Sequence, residues 1–277
     1  MVKLGLPCRK ILFSGLLLKA RSCRGEQKCC FGALRSGIVF GRMIMSLREL
    51  PRIDRLRLAE LVLPEFHPEA ATDPVSPVFA YVIHHRDGPV LVDTGVGRGN
   101  EFLDEVYQPT VTDLGEALAH VGVDERDVVA IVNSHLHFDH CGQNPMFYGL
   151  RVPIYVQAAE VEAAREPFYT DPAWASVPSD QLRRLDGDET LTEGIRIVAT
   201  PGHTAGHQSV IIEGGAEVAV IAAQSVWRVS EFETGKPSVG NVSDELWIAG
   251  TESLRRLRAL DPAVAYFSHD ETTYRRT

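Results

Sequence analysis

The chain has 277 residues, with 28 Lys and Arg against 37 Asp and Glu, a net charge of −9, and 44% hydrophobic against 23% charged residues. That length supports one large domain or two small ones with a full core, and the apolar fraction excludes wholesale disorder. No apolar run approaches the roughly 18–20 residues that span a bilayer, and an acidic chain disfavours nucleic acid, whose phosphates call for basic patches.

The charge is unevenly placed. Residues 1–44 hold nine basic residues and one acid, Glu26, together with four of the five cysteines (Cys8, Cys23, Cys29, Cys30). Residues 45–277 carry −17 and only Cys141. A break this sharp marks 1–44 as a basic extension, disordered or not native to the working protein, ahead of a single domain over 45–277 that starts near Met43 or Met45. The cysteine spacings fit no zinc finger. The apolar run 11–18 makes a secretory signal the lesser alternative to a cytoplasmic protein, and a lone Cys141 fits a reducing compartment.

Residues 52–62 mix apolar and charged side chains as a strand does. Pro64, Pro68, Pro74 and Pro77 make the next stretch a loop. Residues 78–84 and 89–92 are apolar and β-branched, joined by the turn Arg86-Asp87-Gly88, and predict a hairpin. Asp113 with Glu116 three residues on predicts a helix start, running to about His120. The apolar runs 128–133 and 152–156 predict buried strands. Three more follow at 195–199, 209–212 and 217–222, the last two separated by Gly214-Gly215. Leu254, Leu257 and Leu260 lie at helical spacing within 252–260, and 264–267 is a final strand. Strands with interspersed helices and no repeat predict an α/β chain of two sheets with outer helices.

Directly after the run 128–133 stands Ser134-His135-Leu136-His137-Phe138-Asp139-His140. As a strand ends, His135 and His137 point to one side, because strand side chains repeat every two residues, while Asp139 and His140 in the following turn face a second position. Imidazoles with a carboxylate suit Zn²⁺ or Fe, not Mg²⁺ or Ca²⁺. Pro201-Gly202-His203-Thr204-Ala205-Gly206-His207 follows 195–199, and its glycines let the backbone turn tightly around His203. His269, with Asp270, follows 264–267. Three strand ends each bring a histidine to one edge of the fold. His207 reads as a supporting residue, whereas His67, His84, His85 and His120 lie in no ligand spacing and read as structural.

Residues 134–144 (SHLHFDHCGQN) and 201–207 (PGHTAGH), with Asp93-Thr94-Gly95 and Ser268-His269-Asp270, resemble the metallo-β-lactamase superfamily. The first two motifs are most similar to its N-acyl homoserine lactonase-like branch. The resemblance covers about 50 to 277 and implies a four-layer αββα sandwich with a metal site along one sheet edge. Carried over by motif, His135, His137 and His203 would hold one metal and Asp139, His140 and His269 a second, with Asp93, His207 and Asp270 as supports. The implied activity is a hydrolase whose metal-bound hydroxide attacks an ester or lactone-type carbonyl of a small molecule with an acyl or aryl group. A thioester hydrolase of the glyoxalase II-like kind, or a degenerate member that binds metal or ligand without turnover, is the alternative.

The pattern departs at Ala222-Ala223-Gln224-Ser225-Val226-Trp227. Gln224 stands where the family places a bridging Asp, and Trp227 where the lactonase branch places a Tyr. A carboxamide offers one neutral oxygen where a carboxylate spans two cations. The expectation is therefore one tightly held zinc and a second, weaker one, with iron or manganese as alternatives. Asp139, Gln224 and Trp227 form the expected catalytic set, Asp139 orienting the nucleophile. Residues 165–182, with Phe168, Tyr169 and Trp174, and residues 227–243 are long irregular stretches expected to cover the site.

Overall fold

The computed structural model describes residues 49–237 and 242–277; the extension expected at 1–44 lies outside the described residues. The first sheet contains β1 (Ile53–Val62), β2 (Val75–His85), β3 (Gly88–Val92), β4 (Thr110–Val111), β5 (Ala130–Val132), β6 (Ile154–Gln157) and β7 (Leu182–Leu185), in the order β4-β1-β2-β3-β5-β6-β7. The second contains β8 (Glu189–Thr192), β9 (Ile195–Ala199), β10 (Gln208–Gly214), β11 (Glu217–Ala223), β12 (Val264–Phe267) and β13 (Tyr274–Arg275), in the order β13-β12-β11-β10-β9-β8.

The two-residue period of these strands builds the layers. Val210 and Ile212 of β10 face one cluster with Ile195, Ile197 and Ile221, and meet Tyr81, Ile83, Val90 and Val132 of the first sheet. Ile211, between them in sequence, faces the other way, with Val220 and Phe267. That outer face is covered by α6 (Val229–Thr234) and α7 (Asp244–Ala259) through Phe232, Leu254 and Leu257. The outer face of the first sheet (Leu58, Ala80, Val82, Leu91, Ile131) is covered by α1 (Glu101–Tyr107) and α2 (Leu114–His120) through Leu103, Leu114 and Leu118. The result is the αββα sandwich, with each fully buried Val, Leu or Ile contributing about 1.5–3 kcal/mol. No helix among the described residues is long and apolar enough to cross a membrane.

Most local expectations match. The β2–β3 hairpin pairs His85 with Gly88, leaving Arg86-Asp87 as its two-residue turn. Asp113 caps α2 by accepting from the Glu116 backbone N–H at 3.0 Å. Three places differ. Helix α7 starts at Asp244, eight residues before the predicted stretch 252–260, because Ser243 caps it and its first turns carry the exposed Trp247 and Ile248 rather than core residues. Strands β7 and β8 are mostly polar and half-exposed, so periodicity does not reveal them. The stretch 165–182 contains α5 (Pro172–Ala175), whose Trp174 packs into the core of the first sheet and not over the site.

Strands β3, β5 and β6 run parallel, as do β11 and β12, and β9 shares the direction of β11 because both are antiparallel to β10. Each site residue follows the carboxyl end of one of these strands: Asp93 after β3, His135 after β5, His203 after β9, Gln224 after β11 and His269 after β12. This is the edge at which open α/β sheets expose backbone ends and leave room for a ligand.

Candidate metal centre

Beyond β5 the chain bends at Ser134 and reaches His137, which is extended with φ −64° and ψ 156° and precedes α3 (Phe138–Cys141), so Asp139 and His140 are raised on one helical turn. Two glycines fold the 200–207 loop against its neighbours. A Cβ on Gly202 would lie 2.5 Å from the Gly250 Cα, and one on Gly206 would lie 2.3 Å from the Glu160 backbone N.

The ligand atoms of His135, His137 and His203 lie within 4.8 Å of one another, and so do those of Asp139, His140 and His269. In the first group His135 Nε2 and His203 Nε2 stand 3.1 and 3.0 Å from His137 Nδ1. Burial pushes all three imidazoles below their ordinary pKa, and the neighbouring imidazoles push His135 and His203 further down. Three neutral rings each hold one N–H, and lone pairs crowded at this spacing call for a cation among them. The nitrogen spacings approach the roughly 3.3 Å edge of a tetrahedron with Zn–N of about 2.0 Å. The donor set fits a divalent metal ion.

Asp93 anchors the second group. Its carboxylate accepts from Ser134 N at 2.6 Å, Ser134 Oγ at 2.7 Å and His140 Nδ1 at 2.8 Å. It does so from φ +64°, a left-handed conformation that Asp tolerates better than most residues. Burial disfavours charge on His140, but Asp139 and Asp93 beside it outweigh burial and raise its pKa. Asp139 is also buried, yet His140, His269 and His137 hold its carboxyl below the usual range. His269 Nδ1 donates to Pro77 O at 3.0 Å, and burial lowers its pKa to about 4.

Gln224 Oε1 stands 3.0 Å from His140 Nε2 and 3.2 Å from His269 Nε2. The backbone N–H of Gln224 donates to His207 Nε2 at 3.2 Å, while His207 Nδ1 donates to Thr200 O at 3.1 Å. His207, lowered to about 3 by burial, thus fixes the height of Gln224 rather than meeting the ligand atoms. Trp227 stacks on His269 with centroids 4.2 Å apart and planes 14° apart. Asp270 departs from its expected supporting role: its carboxylate accepts from the backbone N–H of Val229, at the start of α6, and of Thr272, both at 2.7 Å.

Two residues at the site escaped sequence reasoning. Glu160, on α4 (Ala158–Ala163), is fully buried and accepts from Leu136 N at 2.9 Å, Thr204 Oγ1 at 2.7 Å and the Tyr169 hydroxyl. One carboxylate thereby holds the His135–His137 loop, the His203 loop and the Tyr169 segment together; nothing in the sequence sets Glu160 apart from Glu162 two residues on. His67, read as structural, lines the cavity beside the two groups. That cavity, about 240 Å³, has His137, His203, Asp139 and Gln224 as its polar side, with Phe102, Tyr107, Phe138, Phe168, Tyr169 and Trp227 among its apolar walls.

The family model of the Metallo-beta-lactamase superfamily matches residues 73–269. The chain belongs to the metallo-beta-lactamase superfamily. An N-acyl homoserine lactonase of a Bacillus species is 32% identical over 209 residues, spanning 70% of this chain and 81% of the relative. The N-acyl homoserine lactonase AiiA of Bacillus thuringiensis subsp. kurstaki is 31% identical over the same spans. A solved N-acyl homoserine lactone hydrolase, with N-hexanoyl-L-homoserine at its catalytic metal centre, superposes with a TM-score of 0.68 at 26% identity, covering 80% of this chain and 94% of that one. The dizinc lactonase AidC shares the fold, with a TM-score of 0.57 at 18% identity over 80% and 88% of the two chains. With the two ligand groups, that membership makes this superfamily member a metallo-hydrolase.

Proposed function

We propose that the domain over 45–277 is a zinc-dependent lactonase that opens N-acyl homoserine lactones. The observation that carries this reading is the convergence of three neutral imidazoles, of which His137 and His203 line an aromatic-walled cavity and His135 lies buried beside them. The similarity to N-acyl homoserine lactonases supports the choice of substrate.

His135, His137 and His203 would hold the tightly bound ion. When bound, zinc supplies a Lewis acid that acidifies water and polarises a carbonyl. Asp139, ionised on the cavity floor, accepts a hydrogen bond from the attacking water and orients it toward the lactone carbonyl. Asp93 fixes the Nδ1–H of His140, and Pro77 O that of His269, so both rings turn Nε2 toward the second position. Gln224 Oε1 already faces both Nε2 atoms and carries no charge, so a second ion is held more weakly there than beside a carboxylate. The apolar walls take the acyl chain, and the ring lies toward the polar side. Cys141 is buried and free, in keeping with a cytoplasmic protein.

The test is ring opening of N-hexanoyl homoserine lactone by the zinc-loaded protein, read by proton release and by the mass of the N-acyl homoserine formed. Turnover is expected. Hydrolysis of a thioester or a linear ester without the lactone would contradict the substrate class, and zinc uptake without any turnover would leave a binding protein.

A further inference from the structure

His67 sits in the loop between β1 and β2, ringed by local hydrogen bonds: its own N–H donates to Pro64 O at 2.7 Å and its carbonyl accepts from Ala70 N at 3.1 Å. The loop is tied to the start of α6 by Arg228, which pairs with Glu69 at 2.9 Å and with Asp73. Trp227, the residue before Arg228, therefore has two neighbours on its ring, His269 stacked at 4.2 Å and His67 tilted at 5.1 Å. This places His67 on the cavity wall above Asp139 and Gln224.

The ring has a defined tautomer. Its Nδ1 accepts the Glu69 backbone N–H at 3.2 Å, so the proton of the neutral ring is on Nε2. Among the described residues that Nε2–H has no hydrogen-bond partner. Burial lowers the pKa of His67, against the pull of Asp139 and Glu69, in keeping with a neutral ring. Of the other polar groups on this wall, the nitrogens of His137 and His203 and the oxygen of Gln224 face the ligand positions, and Tyr107, farther along the wall, carries a hydroxyl. Trp227 supplies a flat face to its neighbours rather than a hydroxyl.

We infer that His67 is a catalytic residue whose Nε2–H donates a hydrogen bond to the carbonyl oxygen of the substrate as that oxygen gains negative charge. A prepositioned donor at a developing oxyanion contributes more to the transition state than to the ground state, so its loss falls on kcat. The histidine transfers no proton: it remains neutral, and its bond to the oxygen lengthens again when the tetrahedral species collapses. The role rests on the lactonase reading above.

The experiment compares the zinc-loaded full-length protein with His67→Phe, which keeps a ring against Trp227 but has no donor, and His67→Gln, whose amide N–H restores one. Steady-state kinetics on N-hexanoyl homoserine lactone, with zinc content measured on the same samples, gives the readout. His67→Phe is expected to lower kcat about 10- to 100-fold at unchanged zinc content, with KM moving less than about threefold, and His67→Gln to recover most of the loss. Equal losses in the two variants, a change confined to KM, or no change would overturn the role of His67 while leaving the lactonase reading standing. Absence of lactone turnover in the unaltered protein would instead overturn that reading, and this role with it.

Discussion

Replacing Glu160 by Ala should destabilise the metal-free protein by about 3 kcal/mol. Three donors converge on this carboxylate, and two of them, the Leu136 N–H and the Thr204 hydroxyl, belong to buried residues. Each buried donor left without an acceptor costs about 1–3 kcal/mol. The third, the Tyr169 hydroxyl, belongs to a partly buried residue on the cavity wall, so its loss adds at the low end of that range. Removing a buried charge recovers part of its desolvation cost, which keeps the net below the simple total. For a domain of this size, 3 kcal/mol corresponds to a fall in Tm of roughly 6–12 °C. Glu160→Gln separates hydrogen bonding from charge. Its remaining oxygen still accepts from Leu136 and Tyr169, and its NH₂ can donate to a rotated Thr204 hydroxyl, so the expected cost is only about 1 kcal/mol. Urea unfolding without metal, which removes the contribution of zinc binding, measures both. A Glu160→Ala variant within 1 kcal/mol of the unaltered protein, or a Glu160→Gln variant as damaged as Glu160→Ala, would refute the count of bonds.

Stability of the metal-free protein should also fall with acid. Burial holds His207 to about 3 and His269 to about 4 against an ordinary 6.5, so the folded chain refuses protons that the unfolded chain accepts. Stability is then complete above pH 6.5 and declines toward pH 4 by about 1.4 kcal/mol per pH unit for each such ring; a urea midpoint that stays level from pH 7 to 5 would contradict this. Asp93→Asn keeps the left-handed backbone position but weakens the bonds to Ser134 and His140, and should cost about 10- to 100-fold in metal affinity, measured by chelator competition. Phe102 and Phe168 line the cavity while 58% and 94% exposed, so Phe102→Ala with Phe168→Ala should raise KM for a decanoyl lactone several-fold more than for a butanoyl one. Equal changes for both lengths would place the chain elsewhere.

The legible parts of this fold were those in which one physical requirement dominates a short stretch. Strands β9 and β12 are read to the residue, because their core-facing positions are apolar and buried, with Arg196 the one charge in either. The histidines of residues 134–140 are legible because strand alternation and one helical turn fix which side each faces. The mostly polar edge strands β7 and β8 and the exposed first turns of α7 carry no such demand, and sequence periodicity passes over them. Trp174 and Trp227 look alike in sequence, both aromatic in loop-rich stretches. One fills the core beneath the first sheet and the other stacks on His269, a difference set by tertiary contacts alone. The same holds for Glu160 and His67: Leu136 and Thr204 lie 24 and 44 residues from Glu160, and His67, in the β1–β2 loop, meets Trp227 just before α6. Asp270, beside a ligand in sequence, is drawn off to the start of α6 by two backbone N–H groups.

The most direct test of a zinc lactonase with one tightly held ion is to strip the protein with chelator and return zinc in measured steps, following hydrolysis of N-hexanoyl homoserine lactone at each. Activity should be lost with the metal, return in proportion to the first equivalent and level off there. Activity indifferent to chelator, or one that appears only between the first and second equivalents, would contradict it.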